Sequence, residues 1–292
     1  MRRAAGLALY SDTARRAAAP VIRRYSSSFR LATSLFPRRC RTSIAAVYAL
    51  VRIADEVVDG TAAEAGADPA EQRRLLDELE AETERAVDAG FSANLVVHAY
   101  AGIARTAGIE RELTRAFFAS MRRDLDAVAF DEAEYRTYIH GSAEAVGLMC
   151  LRVFLVGRRV DARDLARLEE GAARLGAAFQ KVNFLRDIGH DSAQLGRSYV
   201  PGLRADGMTE AEKHAVVADI RADLRAARDV VPLLPRDCRR AVLVATALFA
   251  SLLARIERTP AARLSKERIS VPPAVKIALA VRWSAFPSGR RS

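Results

Sequence analysis

Residues 48–59 read Tyr-Ala-Leu-Val-Arg-Ile-Ala-Asp-Glu-Val-Val-Asp. Asp55 and Asp59 are four residues apart, so a helix places their Cβ atoms about 5–6 Å apart on one face. Arg52 shares this face, and the surrounding Val, Ile and Ala residues predict a helix that is buried around most of its circumference. Two unneutralised carboxylates are costly in such a setting. Mg²⁺ prefers oxygen ligands, so a bound ion would remove that cost.

A second stretch, residues 180–191, reads Gln-Lys-Val-Asn-Phe-Leu-Arg-Asp-Ile-Gly-His-Asp. Asn183, Asp187 and Asp191 recur at every fourth position, so a continuous helix aligns three oxygen-bearing side chains. Surface helices often carry one such spacing by chance. Two of them in apolar helices, each with an accompanying Arg, predict two facing walls of a helical bundle that hold a metal–diphosphate cluster.

The composition favours helix along the whole chain of 292 residues, half of which are apolar. The length fits one large domain or two small ones. The apolar periodicity and the turn residues predict helices over about 42–58, 71–89, 92–107, 110–128, 161–185, 209–229 and 235–258. Residues 60–70 are predicted to form a loop, residues 189–201 a looser segment, and the chain from Pro272 a short basic tail.

The charge of +10 suits anionic partners, and diphosphates, anionic lipids and nucleic acids all fit that description. No basic run is interleaved with aromatic residues, so a nucleic-acid partner is disfavoured. The three cysteines lack CxxC spacing, which argues against a disulfide framework or a zinc site and favours the cytoplasm. Neither a GxGxxG nor a Walker A motif occurs, and no histidine is paired in sequence with a nucleophile.

Five ordered motifs resemble those of the squalene and phytoene synthase family, and the resemblance covers nearly the whole chain. They are Ser26–Phe29 followed by the Pro37 turn, the two aspartate segments, Tyr138–Gly147 and Gly196–Pro201. The resemblance implies an all-α fold, a single domain over residues 1–292 of the isoprenoid-synthase type with a central cavity. About residues 1–20 and 285–292 are expected to be flexible.

The same resemblance implies the site residues. Two or three Mg²⁺ ions, with Mn²⁺ as an alternative, would be held by Asp55, Asp59, Asn183, Asp187 and Asp191, and the four aspartates among them would carry the catalysis. The substrate would be bound by Ser26, Ser28, Tyr48, Arg52, Tyr138, Ala143, Val146, Gly147, Gln180, Arg186, Arg197 and Tyr199. Three positions depart from the family pattern, since His190 stands where the family often shows an acid, Glu144 stands in the central motif and Phe249 stands where many relatives carry Tyr.

The activity that the resemblance implies is head-to-head condensation of two geranylgeranyl diphosphates to phytoene through a cyclopropyl diphosphate. The alternative is squalene or dehydrosqualene synthesis from farnesyl diphosphate, and NADPH would be required only for squalene. A prenyl elongase or terpene cyclase is less favoured because Glu56, not Asp, follows Asp55. A non-catalytic helical assembly factor remains a further alternative. The basic tail with Trp283 and Phe286 predicts peripheral association with the inner face of a membrane.

Overall fold

The computed structural model describes residues 6–126, 130–195, 199–201, 208–264 and 266–284, and for residues 190–195, 280 and 282–284 it describes the backbone alone. No strand occurs within these ranges, so the predicted all-α fold is confirmed. The α-helices in chain order are α1 Gly6–Tyr25, α2 Ser27–Ser34, α3 Arg38–Val58, α4 Thr61–Glu64, α5 Pro69–Ala89, α6 Leu95–Ala107, α7 Arg111–Arg123, α8 Glu132–Ile139, α9 Ala145–Leu155, α10 Ala162–Leu195, α11 Glu210–Asp229, α12 Arg236–Arg258, α13 Ala261–Leu264 and α14 Pro273–Ser284.

Local sequence accounts for several helix ends. The Asp68 carboxylate accepts the N–H of Glu71 at 2.8 Å and begins α5. Thr209 and Glu212 form a capping box that begins α11. Gly108 ends α6, as predicted, with a φ of 66° that favours glycine.

Helix α10 is longer than the sequence predicts. The prediction of a looser segment from Gly189 is wrong for residues 189–195, because the helix continues to Leu195. Residues 162–195 contain no proline, and a lone glycine inside a helix costs only about 1 kcal/mol relative to alanine. Asp191 therefore lies on the same helix as Asp187, although its side chain is outside the described residues.

Both ends of the chain contain more structure than the sequence suggests. Residues 6–20, expected to be flexible, belong to α1, where Ala14 and Ala18 are fully buried. The predicted tail is instead α14, and Val275 packs against a buried cluster formed by α10, α11 and α12. The expected loop at residues 60–70 contains the single turn of α4.

Helix α3 runs through the interior, with nine buried residues on its 21-residue length. A π-helical turn, His140–Glu144, joins α8 to α9. Helix α9 crosses α10 in the antiparallel sense, since Ala143 adjoins Gly176 and Gly147 adjoins Ala172. Within the described ranges, no helix has the length and apolar character needed to cross a bilayer.

Candidate functional site

A central cavity of about 1,000 Å³ lies between α3, α9, α10 and α12. This volume is at the upper end of the range for small-molecule sites, about 300–1,000 Å³. Helix α3 contributes a single stripe of side chains to it, spaced three or four residues apart. The members of that stripe are Ile44, Val47, Tyr48, Val51, Arg52, Asp55 and Asp59.

The cavity has a polar end and an apolar end. Lining residues of α10 run from Leu168 to Asp187 and change from apolar to polar along the helix. The antiparallel pairing of α9 with α10 places Tyr138 near the polar end of α10 and Phe154 near its apolar end. At the apolar end, the ring of Phe154 stacks on that of Phe36, with centroids 4.9 Å apart.

The first aspartate segment stands in the last two turns of α3, at the polar end. Burial, followed by the nearby Asp59 carboxylate, raises the pKa of Asp55 well above its usual value. Arg52 pairs with Glu56 and lies 3.9 Å from the Asp55 carboxylate. Its guanidinium carbon also lies 4.5 Å from the ring centroid of Tyr25. The predicted grouping of Asp55, Asp59 and Arg52 on one helix face is confirmed by this arrangement.

The second aspartate segment lies on α10 and lines the same cavity through Gln180, Asn183, Arg186 and Asp187. The Arg186 Nε donates to Asp187 at 3.0 Å. Arg268 Nε, from the segment between α13 and α14, also donates to Asp187 at 2.8 Å. Sequence reasoning missed Arg268, because no spacing rule connects it with a residue 81 positions earlier.

A buried acid that the sequence analysis did not select, Asp124, also lines the cavity. It is 6% exposed, and its carboxylate accepts the Tyr138 hydroxyl at 2.8 Å and the Tyr199 hydroxyl at 2.9 Å. Burial, followed by the Asp124 charge, raises the pKa of Tyr138. In the sequence Asp124 follows Arg122 and Arg123, and no spacing rule distinguishes it there from an acid at the surface.

Those two arginines form a salt-bridged surface and do not reach the cavity. Arg122 pairs with Asp77 at 2.6 Å and also with Glu80. Arg123 pairs with Glu134. Both arginines are thus held in ion pairs at the protein surface.

The mouth of the cavity is formed by α2 and the residues around it. Ser26 begins α2 by accepting the Phe29 N–H at 3.1 Å, and Ser26 and Ser28 both line the cavity. Burial raises the pKa of Tyr48 to about 12, so this phenol is protonated at neutral pH. Lys276 of α14 donates to Ser27 Oγ at 2.6 Å and brings a further cation to this rim.

The small residues of the central motif serve close packing as well as the cavity. A Cβ at Gly141 would overlap the carbonyl oxygen of Ala116, and one at Gly147 would overlap that of Ala172. Gly147 also lines the cavity, together with Ala143 and Val146. Gly147 therefore permits the close packing of α9 on α10 and also leaves room for a ligand. Glu144 does not line the cavity and instead pairs with His140.

Aromatic rings cover part of the cavity wall. Phe249 stacks on Phe179 with centroids 3.8 Å apart, and Phe29 packs against both rings. The position where many relatives carry Tyr is thus filled by a ring that is held on two sides. Tyr199 stacks on Phe184 with centroids 4.3 Å apart and is buried, while Arg197 lies outside the described residues.

One histidine has a serine partner that the sequence did not reveal. Ser11 Oγ lies 2.8 Å from His98 Nε2, so the expectation that no histidine meets a nucleophile is wrong for this pair. The other ring nitrogen, Nδ1, accepts the Ser92 N–H at 3.3 Å, which places the ring proton on Nε2. The imidazole consequently donates to Ser11 and cannot act as its base. A Ser–His hydrolase remains disfavoured.

The polar end of the cavity fits a divalent cation. Carboxylate and amide oxygens are the donors that Mg²⁺ takes, and Asp55, Asp59, Asn183 and Asp187 all line this end. The raised pKa of Asp55 reflects a burial and repulsion cost that a cation would relieve. Among the side chains that are described, no three acidic, histidine or cysteine groups are already clustered as a metal site. Binding of an ion between the two segments would therefore require ligands from both helices and from the substrate.

The chain is similar to known proteins over most of its length. The model of the family described as squalene/phytoene synthase matches residues 22–274. A 15-cis-phytoene synthase of Paracoccus sp. is 31% identical over 274 residues, covering 87% of this chain and 85% of that protein. A presqualene diphosphate synthase of Rhodopseudomonas palustris is 30% identical, covering 83% of this chain and 79% of that protein.

Solved structures show the same fold. A dehydrosqualene synthase in complex with ligand superimposes with a TM-score of 0.77 at 22% identity, covering 95% of this chain and 98% of that one. The squalene synthase HpnC from Alicyclobacillus acidocaldarius gives a TM-score of 0.70 at 24% identity, covering 86% of this chain and 94% of that one. The predicted isoprenoid-synthase-type bundle with a central cavity is thereby confirmed.

Proposed function

This chain belongs to the squalene/phytoene synthase family, and on that premise we propose that it joins two geranylgeranyl diphosphates head to head to give phytoene. The observation that carries the proposal is the division of the cavity described above into a polar end and an apolar end. Both aspartate segments border one end of it, while Phe36 and Phe154 close the other end. An amphiphile with an anionic head and a long apolar tail fits this division.

The residues of the polar end bind and orient the diphosphate heads. Arg52 and Arg186 offer charge-assisted hydrogen bonds from the two facing helices, and Arg268 and Lys276 add cations from the C-terminal segment. Ser26, Ser28 and Gln180 add neutral donors. The apolar wall excludes water, which would otherwise capture an allylic cation.

The proposed cofactor is Mg²⁺, held by Asp55 and Asp59 on α3 and by Asn183, Asp187 and Asp191 on α10. When bound, it would neutralise the charge that develops on the departing diphosphate. Two ions or three fit this donor set, and Mn²⁺ is an alternative. Tyr48 and Tyr138 stay protonated at neutral pH, because burial raises the pKa of each phenol. They therefore donate hydrogen bonds and do not act as bases in their resting state.

The choice of a C20 substrate rests on the central and second aspartate motifs and on the similarity to phytoene synthases of Paracoccus sp. and Rhodobacter capsulatus, at 31% and 32% identity. The second candidate is condensation of farnesyl diphosphate, which the 30% identity to a presqualene diphosphate synthase favours. In that case the cyclopropyl diphosphate itself, dehydrosqualene or squalene would be the product, and NADPH would be needed only for squalene.

The test is incubation with Mg²⁺ and either geranylgeranyl or farnesyl diphosphate, with and without NADPH, followed by mass analysis of the lipid extract. The expected result is a C40 hydrocarbon that forms without NADPH. A C30 product would keep the reaction class but replace the substrate. A folded protein that yields neither a hydrocarbon nor a cyclopropyl diphosphate would contradict the proposal and favour a non-catalytic role.

A further inference from the structure

Helix α14 exposes an apolar face to solvent. Ala274, Ile277, Ala278 and Val281 are all exposed and recur at i, i+3, i+4 and i+7, which places them on one side of the helix. Ile277 and Val281 are each 62% exposed. Such a stripe normally faces the core of a protein. Here Val275 occupies the inward side, so the helix is apolar on both sides. We call the four exposed residues the outer face of α14.

The outer face lies beside the mouth of the cavity. Lys276, the neighbour of Ile277, lines the cavity and donates to Ser27 Oγ at 2.6 Å. Tyr25, which lines the cavity on the other side of α2, is 52% exposed. The side of α14 that carries Lys276 therefore borders the cavity, while the outer face points away from it towards solvent.

Exposed basic residues lie on α2, which packs against α14, and on the adjoining end of α1. Arg30 is exposed and follows Ser27 by three residues, so it lies on the side of α2 that meets Lys276. Arg23 and Arg24 are exposed in the last turn of α1, immediately before Tyr25. The whole chain carries a charge of +10, so an acidic surface is attracted from a distance.

From these observations we propose that the outer face of α14 docks onto an anionic lipid bilayer, with the cavity mouth at the edge of the docked surface. The apolar side chains would enter the boundary between headgroups and acyl chains, while the arginines meet the headgroups. This inference rests on the proposed function in one respect, because docking close to the cavity would shorten the path of an apolar product into lipid. A second copy of the chain is the competing occupant, but two basic surfaces of this kind repel each other.

The experiment is flotation of the full chain with vesicles of phosphatidylglycerol and phosphatidylcholine, compared with vesicles of phosphatidylcholine alone. The wild type is expected to float with the anionic vesicles and to bind the neutral ones more weakly. The double variant Ile277→Ser/Val281→Ser should bind anionic vesicles about tenfold more weakly or worse, since it removes two of the inserting side chains.

The matched control is Leu7→Ser/Leu9→Ser in α1, where both leucines are about equally exposed, at 58% and 59%. They lie near the opposite end of α1 from Tyr25, about 24–27 Å away along the helix axis. This control should bind vesicles like the wild type. Equal loss in both double variants, or no loss in the α14 variant, would overturn the proposal.

Two further measurements separate the remaining outcomes. Light scattering without vesicles should give the same mass for the wild type and the α14 variant. If the wild type is instead a dimer and the variant a monomer, the outer face mediates self-association and the proposal is overturned. Turnover of detergent-dispersed prenyl diphosphate should be equal in both proteins. If neither makes a hydrocarbon although binding depends on α14, the proposed function fails while the docking surface stands.

Discussion

The hydroxyl of Tyr199 donates to the carboxylate of Asp124 at 2.9 Å, across 75 residues of sequence. Tyr138 donates to the same carboxylate at 2.8 Å. The two phenols and the acid thus fasten the segment after α10 to the end of α7 and to α8. Since Asp124 also lines the cavity, this arrangement fixes the shape of its polar end.

Tyr199→Phe is expected to lower the free energy of unfolding by about 1.5–3 kcal/mol, the usual value of a hydrogen bond to a charged group. Tyr138→Phe should do the same, and the double variant should depart from additivity because both bonds share Asp124. Urea denaturation of the four proteins measures this. Tyr25→Phe is the control, since this ring is 52% exposed and should change stability by no more than about 0.5 kcal/mol. Additive effects would show that the two bonds are independent.

Asp55→Ala and Asp187→Ala are each expected to lower turnover of the prenyl diphosphate by about a hundredfold or more, because each removes an oxygen ligand and a charge from the polar end. Far-ultraviolet circular dichroism should stay unchanged, since both side chains lie at the cavity surface. Glu112→Ala, an exposed acid on α7, should keep full activity. Near-normal turnover in either aspartate variant would remove that residue from the site.

Arg268→Ala is expected to raise the KM for prenyl diphosphate several-fold while the protein stays folded. The arginine reaches the cavity from the C-terminal segment and donates to Asp187 at 2.8 Å. Arg263→Ala is a matched control, because Arg263 is similarly exposed and pairs with Glu267 outside the cavity. Steady-state kinetics at saturating Mg²⁺ compare the two. An equal KM in both variants would show that Arg268 makes no contact with the substrate.

Gly176→Ala should destabilise the protein by about 1–3 kcal/mol, because the added Cβ would overlap the carbonyl oxygen of Ala143 at the α9–α10 crossing. Gly102→Ala provides the opposite case inside α6, where nothing lies within 4 Å of the added carbon. This substitution should stabilise by about 0.5–1 kcal/mol through helix propensity. Thermal unfolding of both variants tests the comparison. Similar shifts in both would mean that the crossing tolerates a methyl group.

The stability of the chain is expected to fall in mild acid partly through His98. Burial, with a smaller effect from Arg15, lowers the pKa of His98 in the folded protein. The unfolded chain then binds more protons than the folded one below about pH 6.5, so stability is retained above that pH and lost as the pH falls towards the lowered value. His98→Gln should show a smaller loss of unfolding free energy between pH 7.5 and pH 5.5. Equal losses would exclude His98 as the cause.

Much of the fold and of the site follows from short-range sequence patterns. Helical periodicity and caps set the existence of α3, α5 and α6, and the spacing of Asp55 and Asp59 fixes their shared face. The four-residue repeat of Asn183 and Asp187 does the same on α10. These features depend only on neighbouring residues, because a helix converts sequence separation into direction.

The tertiary structure alone decided which distant residues complete the site. Asp124, Arg268 and Lys276 belong to no motif, and only the packing of α7 and α14 around α3 and α10 brings them to one cavity. The extent of burial also could not be predicted from the sequence. Burial raises the pKa of Asp55, and the packing that buries Tyr199 stacks its ring on Phe184. The outward direction of Ile277 and Val281 has the same origin, because an apolar stripe faces inward or outward according to its neighbours. Local geometry fixes what lies on one helix face, whereas contacts between helices fix what that face meets.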